Sequence, residues 1–417
     1  MYKRKEKMGE KLLAGEAHLR YPLTHNGSQA GIMAHIHAEA KPVSRAQLTK
    51  AMGSSRGKVF TEVARLIEAG LLAEEGLAES EGGRPSTLIG IPRSAGLLVA
   101  VDIGATSINA ALTTLGSKIL AYRAESADVR FGPQPTLGRV KALVAELLKE
   151  QGAGREDILA VGVGVPGPVE QATGLLTVPP IMPGWDRFPI RDVLVKEFAA
   201  PVFVDNDVNI MALGEHWGGV AKGVDDVIFL KIGTGIGSGI IIGGRIHRGT
   251  QGCAGDLGHV TVDPNGPSCT CGNRGCLEAM AAAPAMVRQA ERCARNGESE
   301  VLAEMLAEEG ELTTQDIGEA ARRGDNCALD IIRSSGRLVG QTLASVVSVL
   351  NPSMIVIGGG VSHIGNTLLA EIRGAVYQRS LPLATRNLPV VMSELDDVAG
   401  VVGASVMAAE GALKVPS

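Results

Sequence analysis

Aromatic residues are scarce in this sequence, because Phe, Trp and Tyr make up only 3% of its 417 residues. Proteins that bind single-stranded nucleic acids stack the bases on aromatic rings, so this scarcity argues against that class. The formal net charge of −5 argues against a protein that binds polyanions over its whole surface. No apolar run approaches the roughly 18–20 residues of a membrane span, and the basic N-terminus lacks the apolar stretch of a signal peptide. These absences predict a cytoplasmic protein without a membrane partner.

The charge that is present is unevenly distributed along the chain. Residues 1–92 contain 13 Lys or Arg against 10 Asp or Glu, whereas residues 93–417 contain 27 against 35. A basic head on an acidic body is the distribution expected when only the head contacts nucleic acid. The length of the chain allows two or three domains, so the head and the body are predicted to be separate units.

Residues 28–92 carry the pattern of three short helices and a β-hairpin, preceded by a basic tail at residues 1–27. The second helix begins at a capping box of Ser44 and Gln47, and the third helix ends at Gly70. Two strands then flank a tip of sequence GGRPS. Three helices followed by a hairpin resemble a winged helix-turn-helix, which is a fold that binds double-stranded DNA.

The exposed side chains of the third helix and of the hairpin tip are the predicted DNA contacts. A helix in this position reads the major groove, and an arginine on the tip can enter the minor groove. The predicted contacts are Ser54, Ser55, Arg56, Lys58, Thr61 and Arg84. The alternative is a helical protein-interaction module whose basic face is merely solvated.

Several predicted strands of the acidic body end in glycines or polar residues, which predicts a crevice between two α/β lobes. Glycine-rich segments follow strands at residues 102–106, 233–239 and 358–360, and their backbone N–H groups can cradle phosphates. Another strand ends at Asn206 and Asp207, where open α/β folds bind ligands. Asp207 is either a general base for a sugar hydroxyl or the N-cap of the next helix. Local sequence favours the cap.

Residues 255–278, of sequence GDLGHVTVDPNGPSCTCGNRGCLE, combine one histidine with three cysteines. The predicted ligands of a structural Zn²⁺ are His259, Cys269, Cys271 and Cys276. Disulfides or buried thiols are the alternative, but Cys269 and Cys271 are too close for a relaxed mutual bond. Asp256 and Glu278 flank the ligands. They either bind the hydroxyl groups of a polyhydroxylated ligand or orient the metal ligands, and this segment leaves both roles open.

Taken together, these motifs resemble the ROK family of repressors, open reading frames and kinases, in particular its subgroup with an N-terminal winged helix. The resemblance covers about residues 28–410 and rests on GGRP, DIGAT, GVGVPGPV, VDNDVN, KIGTGIGSG, GDLGH, CTCGNRGCLE and IGGG. It implies an actin-like, ribonuclease-H-like pair of α/β lobes with a sugar in the cleft between them. Lobe 1 would comprise residues 93–212 and a C-terminal helix at 396–417, and lobe 2, with the zinc site, residues 213–395.

The resemblance also implies which residues of the cleft bind ligands. The sugar-binding residues would be Asn206, Asp207, Asp256, His259 and Glu278. The nucleotide-binding residues would be Asp102, Gly104, Thr106, Thr234, Gly235 and Gly359. In a kinase, Asp207 would be the catalytic base, and ATP and Mg²⁺ would be needed. Kinases of the family usually carry the sequence DIGGTK. This chain has Ala105 in place of the second glycine and Ser107 in place of the lysine. Asp256 stands where the family usually has a sugar-binding glutamate.

The sequence therefore predicts a sugar-responsive transcriptional repressor of carbohydrate-metabolism genes. A homodimer or homotetramer would bind operator DNA through its winged helices, and a sugar effector in the cleft would shift the population of its conformations. The alternative is an ATP-dependent hexose kinase similar to glucokinase, or a protein with both activities. A third interpretation is a zinc-stabilised scaffold that binds no ligand, in which the polar residues of the cleft would have no binding role.

Overall fold

The computed structural model describes residues 26–78 and 85–413. The predicted tail at residues 1–27 lies almost entirely outside the described residues, and so does Arg84 at the predicted hairpin tip. Within the described ranges, no helix has both the length and the apolar character needed to cross a membrane.

Three helices and a three-stranded antiparallel sheet form the N-terminal unit. Its elements are α1 (Gly27–Glu39), β1 (Val43–Ser44), α2 (Arg45–Met52), α3 (Arg56–Glu68), β2 (Ala73–Leu77) and β3 (Thr87–Gly90). The strands pair in the order β1–β3–β2. The predicted capping box is confirmed, since the Ser44 hydroxyl accepts from the Gln47 N–H and the Gln47 side chain accepts from the Ser44 N–H at 2.7 Å.

The N-terminal unit shares a hydrophobic core with the body of the protein. Ile32 and Met33 of α1 and Val63 of α3 are fully buried, and they belong to one cluster with Leu98 and Ala408 from the body. Burial of apolar surface is the dominant stabilising term at such a junction. The N-terminal unit is therefore packed against the rest of the protein through this core, in addition to being connected to it by the polypeptide chain.

The first lobe is built on a mixed five-stranded sheet of order β10–β7–β4–β5–β6. Its elements are β4 (Leu97–Ile103), β5 (Ser107–Thr114), β6 (Ile119–Ser126), α4 (Pro133–Gln151), β7 (Ile158–Val165), β8 (Val169–Glu170), β9 (Leu175–Leu176), α5 (Ile190–Phe198) and β10 (Val202–Asn206). Strands β4, β7 and β10 are parallel, whereas β5 and β6 are antiparallel to their neighbours. Every residue of β4 and β7 is buried, which explains their continuous apolar sequences.

The second lobe is built on another mixed five-stranded sheet, of order β13–β12–β11–β14–β15, and on a group of helices. Before it comes α6 (Asp207–Gly218). The lobe comprises β11 (Val227–Ile232), β12 (Ile236–Ile242), β13 (Arg245–Ile246), α7 (Leu277–Ala281), α8 (Ala283–Arg295), α9 (Glu300–Glu309), α10 (Thr314–Arg322), α11 (Asn326–Leu350), β14 (Met354–Gly358), α12 (Asn366–Arg379), α13 (Pro382–Thr385) and β15 (Val390–Met392). A disulfide between Cys293 and Cys327 joins α8 to α11, and the sequence did not predict it.

Two helices, α6 and the C-terminal α14 (Ala399–Leu413), cross each other beside the first sheet. A side chain at Gly214 would collide with the Ala399 carbonyl, and one at Gly403 would collide with the Ile210 carbonyl. Glycine is needed at both positions because the two backbones approach each other directly. The predicted lobe boundary between residues 212 and 213 falls inside α6, so this helix belongs to the junction of the lobes.

Candidate functional site

A cavity of about 730 Å³ lies between the two lobes. Its walls come from the loop after β4, the junction of β10 and α6, the loop between β11 and β12, and the loop that precedes α7. The predicted residues that line it are Gly104, Thr106, Asn206, Asp207, Thr234, Gly235, Asp256, His259 and Glu278. Two predicted nucleotide-binding residues are not among the lining residues. Asp102 is buried, and Gly359 precedes the lining residue Gly360.

The junction of β10 and α6 places two polar side chains in the cavity wall. Asn206 is the N-cap of α6, since its Oδ1 accepts from the N–H groups of Val208 and Asn209, and its amide donates to the Gly167 carbonyl at 3.0 Å. The predicted N-cap role of Asp207 is therefore wrong. Asp207 is the first residue of the helix, where a carboxylate is stabilised by the helix dipole.

Both oxygens of Asp207 have partners within the protein. Oδ1 accepts from the Val208 N–H at 3.0 Å, and Oδ2 accepts from Lys231 Nζ at 2.6 Å. Asp207 is almost fully buried, whereas the Lys231 side chain is about one-fifth exposed, at 22%. Burial lowers the pKa of Lys231, but the Asp207 and Asp102 carboxylates outweigh it and hold that pKa above its ordinary value. Lys231 is therefore a charged ammonium in the cavity wall.

Asp102 lies beneath this wall at the end of β4. Its burial raises its pKa to about 6, an effect that Lys231 opposes and Asp207 reinforces. Among the described residues, its Oδ1 has no hydrogen-bond partner. A buried carboxyl group without a full set of partners is destabilised in its ionised form, so Asp102 favours the protonated state more than an exposed aspartate does.

A second ion pair lies next to the first at the end of β10. Asp205 Oδ2 accepts from Arg248 Nε at 2.7 Å, and Asp205 Oδ1 accepts from the Asn209 amide at 2.9 Å. Asp205 comes from lobe 1 and Arg248 from the segment after β13 in lobe 2. The sequence did not identify Lys231 or Arg248 as site residues. A lysine within the otherwise apolar strand VIFLKI was an available signal for the first of them.

The four predicted metal ligands lie together and can bind a metal ion, with their ligand atoms all within 4.8 Å of one another. Cys271 Sγ is 3.7 Å from Cys276 Sγ, and Cys269 Sγ is 3.5 Å from His259 Nδ1. A tetrahedral ion bound by sulfur at about 2.3 Å and by nitrogen at 2.0–2.1 Å requires edges of about 3.8 and 3.6 Å. Both separations therefore fit a tetrahedral zinc site.

Asp256 and Glu278 approach the cavity from either side of these ligands. Glu278 Oε2 accepts from the Ile236 N–H at 3.1 Å, and Asp256 is exposed at the cavity surface. Within the described residues, neither carboxylate is hydrogen-bonded to a metal-ligand side chain, so the geometry favours contact with a ligand in the cavity. A side chain at Gly235 would lie 2.6 Å from Glu278 Oε2, which explains why this loop contains glycine.

The predicted DNA-binding residues lie on α3 or at the two positions that precede it, except for Arg84, which lies outside the described residues. Arg56 and Lys58 are exposed in the first turn. The hydroxyl groups are bonded locally, since Ser55 is the N-cap of α3, Ser54 donates to the Met52 carbonyl and Thr61 donates to the Gly57 carbonyl. The exposed cationic side chains are therefore better placed than these hydroxyl groups to bind a phosphate or a base.

An aromatic ring that the sequence did not identify lies between two arginines on the same surface. Phe60 of α3 is 37% exposed. The guanidinium carbon of Arg56 lies 5.1 Å from the centroid of its ring and that of Arg45 lies 5.5 Å away, within the range of a cation–π interaction. These contacts order both arginines on the surface of α2 and α3.

Helix α6 connects the cavity to the N-terminal unit. Its first residue, Asp207, lines the cavity, and Trp217 at its other end stacks on His37 of α1 with the ring centroids 4.1 Å apart. His37 Nε2 is also 3.1 Å from the Ser117 hydroxyl. Burial lowers the pKa of His37 to about 4, so this ring is neutral near pH 7. One rigid helix thus contacts both the cavity and the predicted DNA-binding unit.

Comparisons with known proteins agree with this architecture. A model of the ROK family matches residues 98–410. The xylose repressor of Caldicellulosiruptor bescii is 30% identical over 378 residues, which are 90% of this chain and 94% of the relative. The crystal structure of a ROK family transcriptional regulator, a homolog of the Escherichia coli MLC protein, is 28% identical and superimposes with a TM-score of 0.79 over 93% of this chain and 96% of that chain.

A solved kinase is similar to a smaller part of the chain. The ROK family glucokinase from Streptomyces griseus, in complex with glucose and AMPPNP, is 34% identical. It superimposes with a TM-score of 0.67 and covers 75% of this chain and 99% of that chain. The chain belongs to the ROK family, because the family model matches most of its length and the structure has two α/β lobes.

Proposed function

We propose that this protein is a sugar-responsive transcriptional repressor of carbohydrate-metabolism genes. The observation that carries the proposal is the extent of the similarity. The repressor and regulator relatives match 90% and 93% of the chain, whereas the glucokinase covers 75%. A chain with an additional N-terminal unit and an intact interlobe cavity has the two parts that a ligand-controlled DNA-binding protein requires.

The N-terminal unit, predicted at residues 28–92, is proposed to be a winged helix-turn-helix that binds double-stranded operator DNA. Its three helices and antiparallel sheet, together with exposed Arg56 and Lys58 on α3, support this assignment. A homodimer or homotetramer would present two such units to a pseudo-palindromic operator.

Operator binding by purified variants tests this assignment. Genomic fragments selected by the wild-type protein would serve as operator DNA. We expect Arg56→Ala to weaken binding by about 1–3 kcal/mol and to relax sequence specificity if Arg56 contacts a base, and Lys58→Ala to weaken binding to all sequences similarly if Lys58 contacts phosphate. Arg84→Ala tests the predicted wing contact. Lys149→Ala, which removes an exposed lysine of α4, is the control. Operator binding unchanged in all three test variants would contradict the assignment.

The cavity is proposed to bind the sugar effector, and the metal site is proposed to hold a structural Zn²⁺. Asp256 and Glu278 carry carboxylates that accept hydrogen bonds from sugar hydroxyls. His259 has Nδ1 on the side of the cysteines and also lines the cavity, so Nε2 is proposed to face the sugar. Zinc would then fix the tautomer of His259 and the position of the loop that carries Asp256 and His259 and leads into α7, where Glu278 lies.

Helix α6 is proposed to carry the effect of the sugar to the DNA. Asn206 and Asp207 at its start lie in the cavity wall, and Trp217 near its end packs on His37. A sugar that binds more tightly to one arrangement of the lobes shifts the population toward that arrangement. Movement of α6 relative to α1 would then change the spacing of the two DNA-binding units in a dimer.

An ATP-dependent sugar kinase is the second candidate function, and it is favoured by the presence of Asp207 in the cavity wall and by the similarity to a glucokinase. The measurement that separates the two functions is sugar-dependent ADP release. We expect none at ordinary enzymatic rates of about 1 s⁻¹ or faster. Turnover that Asp207→Asn abolishes would make the kinase the primary function, and ATP with Mg²⁺ would then be its cosubstrate and metal.

A further inference from the structure

We propose that Lys231 is a specificity-determining residue that adapts the cavity to an uncharged sugar and makes its binding independent of divalent cations. The inference rests on the proposed function, because it names the chemical class of the effector that the same cavity binds. It concerns a residue to which neither the sequence motifs nor the comparisons assign a role.

The first observation is the charge of the cavity wall. Among the described residues that line the cavity, Lys231 is the sole lysine or arginine. The carboxylates that line it are Asp207, Asp256, Glu278 and Asp397. The wall is therefore acidic, and its one fixed cation lies against a carboxylate.

The second observation is that the positive charge of Lys231 is already neutralised. Its ammonium donates to Asp207 Oδ2 at 2.6 Å, and Asp207 is almost completely buried. A phosphate group in the cavity would need a cation or several free N–H donors to replace its hydration. Binding to Lys231 would require this ion pair to break, and the unpaired buried carboxylate would then be strongly destabilised.

The third observation concerns the backbone N–H groups of the loops that line the cavity. Several of those that could bind a phosphate already donate hydrogen bonds to acceptors within the protein. Gly104 N–H donates to the Ser107 carbonyl at 2.8 Å, and Gly233 N–H donates to the Gly235 carbonyl at 2.9 Å. Ile236 N–H donates to Glu278. These loops therefore offer an anion fewer free donors than their glycine content suggests. An uncharged sugar needs only acceptors and donors for its hydroxyls, and the carboxylates of the wall supply the acceptors.

The same lysine replaces a divalent cation. Carboxylate oxygens from two elements, such as Asp102 and Asp207, are ligands that Mg²⁺ uses in proteins. Here the Lys231 ammonium is hydrogen-bonded to Asp207 and interacts electrostatically with Asp102. With the ammonium hydrogen-bonded to Asp207, a divalent cation at the same carboxylate would be repelled.

Calorimetric titration of the wild-type protein tests both parts of the inference. The probes are D-xylose, D-glucose and N-acetyl-D-glucosamine, and for each its monophosphate, in the presence and absence of Mg²⁺. We expect one free sugar to bind at least about tenfold more tightly than its phosphate, a difference of about 1.4 kcal/mol. Mg²⁺ should change the Kd of that sugar by less than about twofold, because Lys231 occupies the place of the cation.

Two substitutions of Lys231 and one control variant connect these results to Lys231. Lys231→Met keeps an unbranched side chain but removes the charge, so Mg²⁺ or Mn²⁺ alone should now raise the melting temperature by binding the folded state. Lys222→Met, which removes an exposed lysine after α6, should behave like the wild type. Lys231→Arg retains the positive charge and should remain insensitive to Mg²⁺, and it provides the comparison if Lys231→Met does not fold.

Tighter binding of a sugar phosphate than of the free sugar, or a requirement for Mg²⁺ in the wild type, would overturn the inference. If that phosphate also releases the operator, the proposed repressor function still stands. If no probe binds and none changes operator affinity, both the inference and the proposed sugar response are contradicted.

Discussion

The two walls of the cavity are held in place by different means. The lobe 1 wall stands where β10 meets α6, so Asn206 and Asp207 are fixed by a strand, a helix and an ion pair with Lys231. The lobe 2 wall, at residues 255–276, has no helix or extended strand, and only two isolated bridges cross it. It contains one group of four side chains that can bind a metal ion. The first wall is thus held by regular secondary structure and one ion pair, whereas we expect the second to depend on a metal bound by these four side chains.

Removal of the metal should therefore affect the second wall alone, and this is the largest effect that we predict. Cys276→Ser replaces the buried ligand, and the loss of stoichiometric zinc should disorder the loop and weaken sugar binding at least about 100-fold. Operator binding should persist, because the N-terminal unit shares its hydrophobic core with Leu98 of lobe 1 and Ala408 of the C-terminal helix. Metal analysis, calorimetry and operator binding measure the three outcomes.

The control for zinc content is Cys253→Ser, because Cys253 is a free cysteine outside the group of four predicted ligands. Full sugar affinity in zinc-free protein would contradict the comparison.

Beneath the first wall lies Asp102, a buried carboxyl group that is expected to destabilise the fold when it is ionised. The pKa of Asp102 is raised from 3.8 to about 6, so the stability it contributes is present below pH 4 and is lost as the pH rises through 6. Asp102→Asn should therefore raise the free energy of unfolding at pH 7 by about 1–3 kcal/mol.

The pH dependence distinguishes this explanation from a simple gain in packing. The advantage of Asp102→Asn should be small at pH 4, should grow between pH 4 and 6, and should be constant above pH 7. Chemical denaturation of both proteins across this range measures it, and changes in the metal ligands cancel in the difference. An advantage that does not vary with pH would show that ionisation of Asp102 is not its cause.

The first wall is also connected to the N-terminal unit, because α6 begins in this wall and its Trp217 stacks on His37. Trp217→Ala removes the ring that stacks on His37. We expect sugar affinity to stay within about twofold of the wild type, while the effect of sugar on operator affinity falls by about 1 kcal/mol or roughly fivefold. Operator titrations with and without sugar measure this coupling. An unchanged sugar effect would exclude the stacking contact as the connection.

The smallest effect should come from the helix cap in the first wall. Asn206→Ala removes the acceptor of the Val208 and Asn209 N–H groups, and the loss of an N-cap costs about 1 kcal/mol. Because Asp207 still accepts from Val208, α6 should remain folded and zinc content should not change. Thermal denaturation and metal analysis test this. A collapse of the whole protein would mean that the first wall is less independent than the comparison implies.

Local sequence determined the elements and motifs whose signals lie close together in the chain. The capping box of α2 and the buried strand β4 follow from the spacing of neighbouring residues, and the structure confirms both. The grouping of His259 with three cysteines was predicted in the same way, because loop residues within a short stretch can converge on one point. The family was recognised from motifs of this kind, which the comparisons confirm.

Tertiary structure decided the features that depend on residues distant in the sequence. Lys231 reaches Asp207, Arg248 reaches Asp205 and Trp217 stacks on His37 only because the two lobes and the N-terminal unit pack together. The same packing places Asp102 beneath the cavity wall. An ionisable side chain acquires its partners and its pKa from the whole fold, and its own segment does not specify them. For this reason the sequence located the cavity and three of its carboxylates, but not Lys231 or the ion pair that it forms with Asp207.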